Sequence, residues 1–375
     1  MARKVHKMKW YTKLWAYPLL LVNLAVSAVF IVCAYSPHIP AERFPVISLA
    51  GLAFPFAFAA MLAFLVFWLF FYRRFCWLSV VTLLVCCKSI YAMSPLNITD
   101  TRAPKESLKL LSYNIHSGNI KPGVKMEDNL LLSYLGDSEA DIICMQECNY
   151  NGMMTLEGVA DWMKRYPYRS YRVSSENTNS GLALACISRY PILSVETIRF
   201  AGSGNGIAQY RIALDADTLT LFNCHLQSFG LDDGDKSMYE NIINDPSDNL
   251  RTAGTRKLVR KLRDAAVLRA IQADTLAARV SSLQAADPDA TILVCGDFND
   301  SPISYAHHRL THFLTDAYTH SGNGPGFSYT HNYMYFRIDH ILCSPNLRPY
   351  ACRVDKSMTE SDHFPITASF VRRKN

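Results

Sequence analysis

The chain has no CxxC pair and no Cys/His cluster at metal-ligand spacing, and its eleven cysteines are an odd number. A disulfide framework and a zinc site are therefore excluded. It also lacks a Ser-centred nucleophile elbow and a Gly-rich phosphate loop, so neither serine-hydrolase nor P-loop chemistry is available to it. Acidic residues are scarce at one end: residues 1–100 hold two Asp/Glu against nine Lys/Arg. Excess basic charge is absent from the rest, where thirty acidic residues face twenty-nine basic ones, so the whole net charge of +6 belongs to the N-terminal part. Lys and Arg neutralising phosphates drive non-specific nucleic-acid binding, so that partner is weakened, although a local basic groove stays open.

What the first hundred residues do contain is apolar length. Arg3, Lys4, Lys7, Lys9 and Lys13 are followed by an uncharged stretch, Leu14–Tyr35, long enough to span a membrane. No small-residue cleavage site follows it, so it reads as retained. A second stretch, Ile47–Tyr72, ends in Arg73-Arg74, and its Pro55 is tolerable in a membrane helix. The third is shorter: Phe75–Cys87 precedes Lys88, and continuing to Met93 reaches spanning length if Lys88 snorkels. An interfacial helix is the alternative. The basic N-terminus and Arg73-Arg74 belong on the cytoplasmic side. Three spans, about 14–35, 47–72 and 75–94, then carry everything after Ser94 out of the cytoplasm; two would leave it inside. The expectation is three, in an integral protein of the cell or inner membrane with an extracytoplasmic C-terminal domain.

After a linker, residues 95–105, the pattern becomes that of a soluble domain. Leu108–Tyr113 reads as a strand ending at Asn114, and a helix is expected over about Met126–Ser138. The strand Asp141–Met145 ends at Gln146-Glu147. Strands follow at Leu182–Ser188, Ile207–Leu214 and Thr218–His225, the last two joined by a turn at Asp215-Ala216-Asp217. Phe229–Gly254 is polar and aperiodic, a lid or a disordered insertion. A long helix, about Arg256–Ala285, has a basic start that reads first as a solvated face. The apolar run Thr291–Cys295 then delivers Gly296-Asp297-Phe298-Asn299, and the last strands lie in Arg337–Ser344 and Ile366–Val371.

Strands repeatedly begin or end at an acid, amide or imidazole: Asn114, Glu147, His225, Asp297 with Asn299, Asp339, and Asp362 with His363. Each alone is an ordinary turn former. Six such events describe a polar cluster whose oxygen ligands suit Mg²⁺ or Mn²⁺.

The segments Leu111-Ser-Tyr-Asn114, Gln146-Glu147, Gly181–Pro191, Asn223-Cys-His225, Gly296-Asp-Phe-Asn299, Arg337-Ile-Asp339 and Ser361-Asp-His363 resemble, in order, the motifs of the DNase I-like endonuclease/exonuclease/phosphatase family. The resemblance covers about residues 106–372. It implies a four-layered α/β sandwich, two mixed sheets face to face with helices outside, here preceded by the transmembrane helical region. It implies a metal-dependent hydrolase of phosphate-ester bonds using Mg²⁺, with Mn²⁺ as the alternative. By the same resemblance Glu147 is the principal metal ligand, with Asn114 and Asp362 near the metal. Asp297 would align or deprotonate the attacking water, and Asn299 would hold the phosphate. His363, oriented by Asp339, would act on the phosphate or as the acid/base imidazole, and His225 would protonate the leaving group. The expected substrate is a phosphate ester near the bilayer, either a lipid headgroup or a small phosphorylated compound. A nuclease outside the cytoplasm is the alternative, and a catalytically inactive binding module the second alternative.

Overall fold

The computed structural model describes residues 10–98, 102–116, 130–149, 165–173, 182–215, 217–230, 253–331 and 334–373, with residues 234 and 237. It opens on apolar helices: α1 (Trp10–Tyr35), the short α2 (Pro45–Ser48), α3 (Phe54–Phe71), α4 (Cys76–Val85) and α5 (Cys87–Met93). Leu14–His38 and Pro45–Phe71 are each long and apolar enough to cross a membrane. The third stretch is not one rod: Arg73–Val85 and Cys87–Met93 meet at 63°, the backbone leaving the helical basin at Cys86.

The stretches run antiparallel. Ala16 packs with Trp68, Phe75 and Cys76 at one end, and Phe30 and Cys33 pack with Phe54, Cys86 and Met93 at the other. Buried Asn23 ties them together, accepting from Trp68 Nε1 at 3.0 Å and Ser79 Oγ at 3.3 Å, the kind of polar contact that holds apolar helices to one another.

This arrangement brings the turn after α1 and the end of α5 to the same place, against the rest of the chain. The His38 ring lies 4.1 Å from that of His308, and Ala41 packs with Ala266 and Ala270. The buried Arg337 guanidinium donates to the carbonyls of Met93, at 3.3 Å, and Ala92, capping the end of α5 while it stacks over Tyr318.

Among the described residues the remainder holds fourteen strands: β1 (Leu108–Asn114), β2 (Ile142–Asn149), β3 (Tyr168–Val173), β4 (Leu182–Ser188), β5 (Ile192–Arg199), β6 (Gly206–Ala213), β7 (Thr218–His225), β8 (Thr291–Asp297), β9 (Thr315–Asp316), β10 (Tyr329–His331), β11 (Met334–Phe336), β12 (Asp339–Cys343), β13 (Leu347–Val354) and β14 (Ile366–Arg372). One six-stranded mixed sheet has the order β13-β14-β1-β2-β4-β3 and the other β5-β6-β7-β8-β12-β9, with β10 and β11 a separate pair. Their inner faces share one core, in which Leu110, Cys144 and Leu184 meet Tyr210, Leu221, Leu293 and Ile341. The outer face of the first sheet is covered by Leu131 and Leu135 of α6 (Leu130–Asp137). The second is covered by α7 (Ala253–Ala286) through Ala273, Leu276 and Val280, and by α8 (Tyr305–Thr311) through Ala306 and Leu310. The result is the expected four-layered α/β sandwich.

Every strand expected from the sequence is present. Those not expected, β3, β5, β9, β13 and the two-stranded β10–β11 pair, are all sheet edges, where one side of the ladder is open and apolar alternation is weak; β13 even accommodates Pro349. Residues 126–129 of the expected helix and most of Phe229–Gly254 lie outside the described residues.

Strand periodicity aims the site. Side chains alternate faces, so Asn114 shares the inner face with Leu110, Asn223 and His225 with Leu221, Asp297 with Leu293 and Cys295, and Asp339 with Ile341. Register does the rest: Asp297 pairs with His225 on β7 and with Asp339 on β12. Gly296 permits that close packing, because at φ +129° a Cβ would stand 2.0 Å from the Cys224 carbonyl oxygen. Gly296→Ala is expected to destabilise the domain by roughly 2–6 kcal/mol, overpacking and backbone strain acting together, as read by chemical denaturation.

Candidate active site

Asp297, at the carboxyl end of β8, is the hub. It is 1 % exposed. Its Oδ2 accepts from Asn114 Nδ2 at 3.0 Å and Asn299 Nδ2 at 3.1 Å, and its Oδ1 accepts from the Asn299 amide at 2.7 Å. Asn299 holds a left-handed φ of +51° that turns its side chain back toward Asp297. His225 Nε2 and His363 Nε2 stand 3.8 and 3.7 Å from Asp297 Oδ2, on either side of it. Burial pushes the Asp297 carboxyl up from the ordinary carboxylate range, against the pull of His363.

His363 follows Asp362 in the loop before β14, and its Nδ1 is 2.8 Å from Asp339 Oδ2. Burial works against its charge, but the Asp339 and Asp297 carboxylates override that and hold its pKa up at about 10. Tyr329 stands edge-on to the ring, with centroids 5.1 Å apart.

Glu147 comes from β2 in the other sheet, and strand parity alone would turn it away from the inner face that holds Gln146. A register shift between Met145 and Cys148, with Glu147 at φ +53°, redirects it. Its Oε1 accepts from Asn114 Nδ2 at 3.1 Å and lies 3.5 Å from His225 Nε2. Burial opposes its ionisation, yet His116, His225 and Asn114 together hold its pKa down at about 2. Behind it, Gln146 Nε2 donates to Asn223 Oδ1 at 2.6 Å, and Asn223 Nδ2 donates to the Met145 and Ala185 carbonyls. The two sheets are thereby pinned together under the site.

All eight residues singled out in the sequence meet at this rim: Asn114, Glu147, His225, Asp297, Asn299, Asp339, Asp362 and His363. One was missed. His116 Nδ1 lies 3.4 Å from Glu147 Oε2 and 3.7 Å from Asp362 Oδ1, with its side chain 67 % exposed, and the hydrogen-bonded Glu147 raises its pKa. Its φ of +41° belongs to a turn just past β1, and nothing in the sequence separates it from an ordinary loop histidine. Arg269 was also unmarked: fully buried, it reaches the Asn299 carbonyl and Asp300 Oδ2 and stacks over Phe229.

The donor set fits a divalent cation. Carboxylate oxygens of Glu147 and Asp297 and an imidazole nitrogen of His225 lie within 4.8 Å of one another. The buried His225 Nε2 and Asp339 Oδ1 have no hydrogen-bond partner among the described residues, as expected of atoms whose partner is a ligand. A cleft of about 200 Å³ opens over the cluster. A larger one, about 510 Å³, lies at the other end of β1 beside Lys109 and Arg353 and contains none of these residues.

A two-sheet sandwich with a carboxylate, amide and imidazole cluster at its rim defines a class of hydrolytic enzymes. The chain belongs to the endonuclease/exonuclease/phosphatase family, whose model matches residues 111–363. Residues 16–93 match a domain of unknown function (DUF8431). Among solved structures, TDP2 from C. elegans is 17% identical with a TM-score of 0.51, over 71% of this chain and 75% of that one. The human Nocturnin catalytic domain, with a bound sulfate anion, is 15% identical with a TM-score of 0.50, over 71% of this chain and 95% of that one. At these identities the likeness is one of fold. No curated protein matches the chain by sequence.

Proposed function

We propose that the chain is a membrane-anchored, Mg²⁺-dependent phosphoesterase that hydrolyses phosphodiester or phosphomonoester bonds of lipid headgroups or small phosphorylated compounds at the bilayer. The observation that carries this reading is the Asp297 hub, flanked by two histidines and an amide pair at a rim that also holds Glu147 and Asp362. Glu147 would be the principal metal ligand, with Asn114 and Asp362 beside it. Held by these residues, a Mg²⁺ ion would supply polarisation of the phosphoryl oxygen and neutralisation of developing charge.

The chain's own groups do the rest. Asp297, ionised and buried, orients the attacking water and takes its proton. Asn299 and the His363 imidazolium hold the phosphate oxygens, with Asp339 fixing the ring through Nδ1. His225 faces the same space and protonates the departing oxygen. The anchoring stretches and the loop at His38 meet the catalytic domain on one side, and Arg73-Arg74 lie at the far end of the helices. With the basic end cytoplasmic, the domain faces out.

Nuclease activity is the second reading, and the cleft lining disfavours it. Its walls include Leu52, Phe229, Phe336 and Ile338 and, among the described residues, no Lys or Arg. The test is turnover by the full-length protein with Mg²⁺ and with EDTA, on a phospholipid and sphingolipid panel beside plasmid DNA. Mg²⁺-dependent release from a lipid with intact plasmid is expected. Nicked plasmid beside untouched lipids would replace this reading with the nuclease.

A further inference from the structure

The seam between the apolar helices and the sandwich runs through the catalytic cleft. The turn Leu49–Ala53 between α2 and α3 packs on the loop that follows Asp297 and Asn299, so closely that a Cβ on Gly51 would stand 1.9 Å from the Ile303 carbonyl oxygen. The next residue, Leu52, lines the same cleft as Glu147, Asp297 and His363. Phe229, Phe336 and Ile338 line it too, so an apolar mouth stands over a charged floor.

Leu52 also sits at the start of a helix long and apolar enough to cross a membrane. Starting two residues later, α3 has 18 residues without a charge and rises about 27 Å, close to the thickness of a bilayer's hydrocarbon. The cleft mouth therefore opens where the end of a membrane-length helix meets the catalytic domain. A hydrophilic phosphate ester gains nothing from such walls, whereas an alkyl chain gains about fourfold in binding for each methylene they bury.

We infer that Leu52, with Phe229 and Phe336, forms a subsite for the hydrocarbon part of a phosphate-bearing lipid, so that the apolar N-terminal region is part of the active site as well as its anchor. The lipid's phosphate lies on the Asp297 floor while its chain leaves between Leu52 and Phe336 toward the bilayer. Water adds to phosphorus, the ester P–O bond breaks, and the departing oxygen takes a proton. This assignment rests on the phosphoesterase reading for its chemistry, but the subsite itself is a matter of binding.

The test uses full-length protein in nanodiscs and the soluble substrate bis(p-nitrophenyl) phosphate, inhibited by butyl, hexyl and octyl phosphate. The inhibition constant is expected to fall at least about tenfold from butyl to octyl in the wild type. Leu52→Asp, and independently Phe336→Ser on the opposite wall, should flatten that slope. Partitioning into the disc is common to all three proteins, so the difference in slope belongs to the site. Inhibition independent of chain length in the wild type, or the same slope in both variants, overturns the inference. If the diester is not hydrolysed at all, the phosphodiesterase branch of that reading fails, and direct calorimetric binding of the same alkyl phosphates still decides the subsite by the same slopes.

Discussion

Purified Asp297→Asn protein is expected to keep its fold and to turn over at least about a hundredfold more slowly than the wild type, the usual scale for loss of a general base. The expectation follows from position. Asp297 touches Asn114, Asn299, His225 and His363, and so joins the ends of β1, β7 and β8 to the loop before β14. An amide of the same shape preserves packing in a site with no room to collapse, so circular dichroism and thermal unfolding should remain cooperative. Turnover within about tenfold of wild type in such a folded variant would remove Asp297 from the role of base.

As the proposed base, the same residue should set the acid side of the pH profile. A base must be ionised, and burial raises the Asp297 pKa, so activity should be lost as pH falls through a value above the ordinary carboxylate range. On the alkaline side the relevant form is the His363 imidazolium, held up to about 10 by Asp339 and Asp297, so activity should decline only as pH approaches that value. Asp339→Asn removes the first of those carboxylates, and the alkaline limb should move to lower pH. An alkaline limb that stays in place in that variant separates His363 from the rate-limiting step.

The site was legible in the sequence because the strands that carry it are central ones. Buried for most of their length, β1, β7 and β8 are short apolar runs that stop at a polar residue, and β12 is one that starts from Asp339; that polar end is the group that reaches the rim. Period-two alternation then fixes which face that group shares, as it does for Asp297 with Cys295 and for His225 with Asn223. Edge strands such as β5 and β13 have no such pattern and were invisible. Neither was the seam readable: no periodicity tells Gly51 that its neighbour will be Ile303, or Leu52 that it will face Glu147, because these contacts join segments more than ninety residues apart through tertiary packing alone. His116 was hidden for a different reason, since its place depends on a backbone turn with positive φ rather than on strand parity.

Glu147 is the one site residue that alternation would have turned away, and its substitution is expected to separate function from fold most sharply. On the proposed assignment of Glu147 as principal metal ligand, removing its carboxylate should lower turnover about 10²–10³-fold at fixed Mg²⁺ and shift the Mg²⁺ dependence to higher concentration, since such a ligand would carry several kcal/mol of charge stabilisation. Two variants share that loss and differ in backbone. Glu147 sits at φ +53°, where a side chain is strained and glycine is not, so Glu147→Gly should be more stable than Glu147→Ala by about 1 kcal/mol. This inverts the usual order in a strand, where glycine is the weaker residue. The carboxylate has its own linkage. Its pKa falls from 4.5 to about 2 on folding, so its stabilising contribution is present above about 4.5 and disappears as pH drops toward 2; the stability gap between wild type and either variant should shift in that window. Urea titrations of the three proteins at pH 7 and pH 3, beside Mg²⁺ titrations of turnover, read both effects. An alanine variant as stable as the glycine variant would mean that the bulge is not held against strain. Full turnover in either would mean that the metal is carried by Asp362 and Asn114 without Glu147.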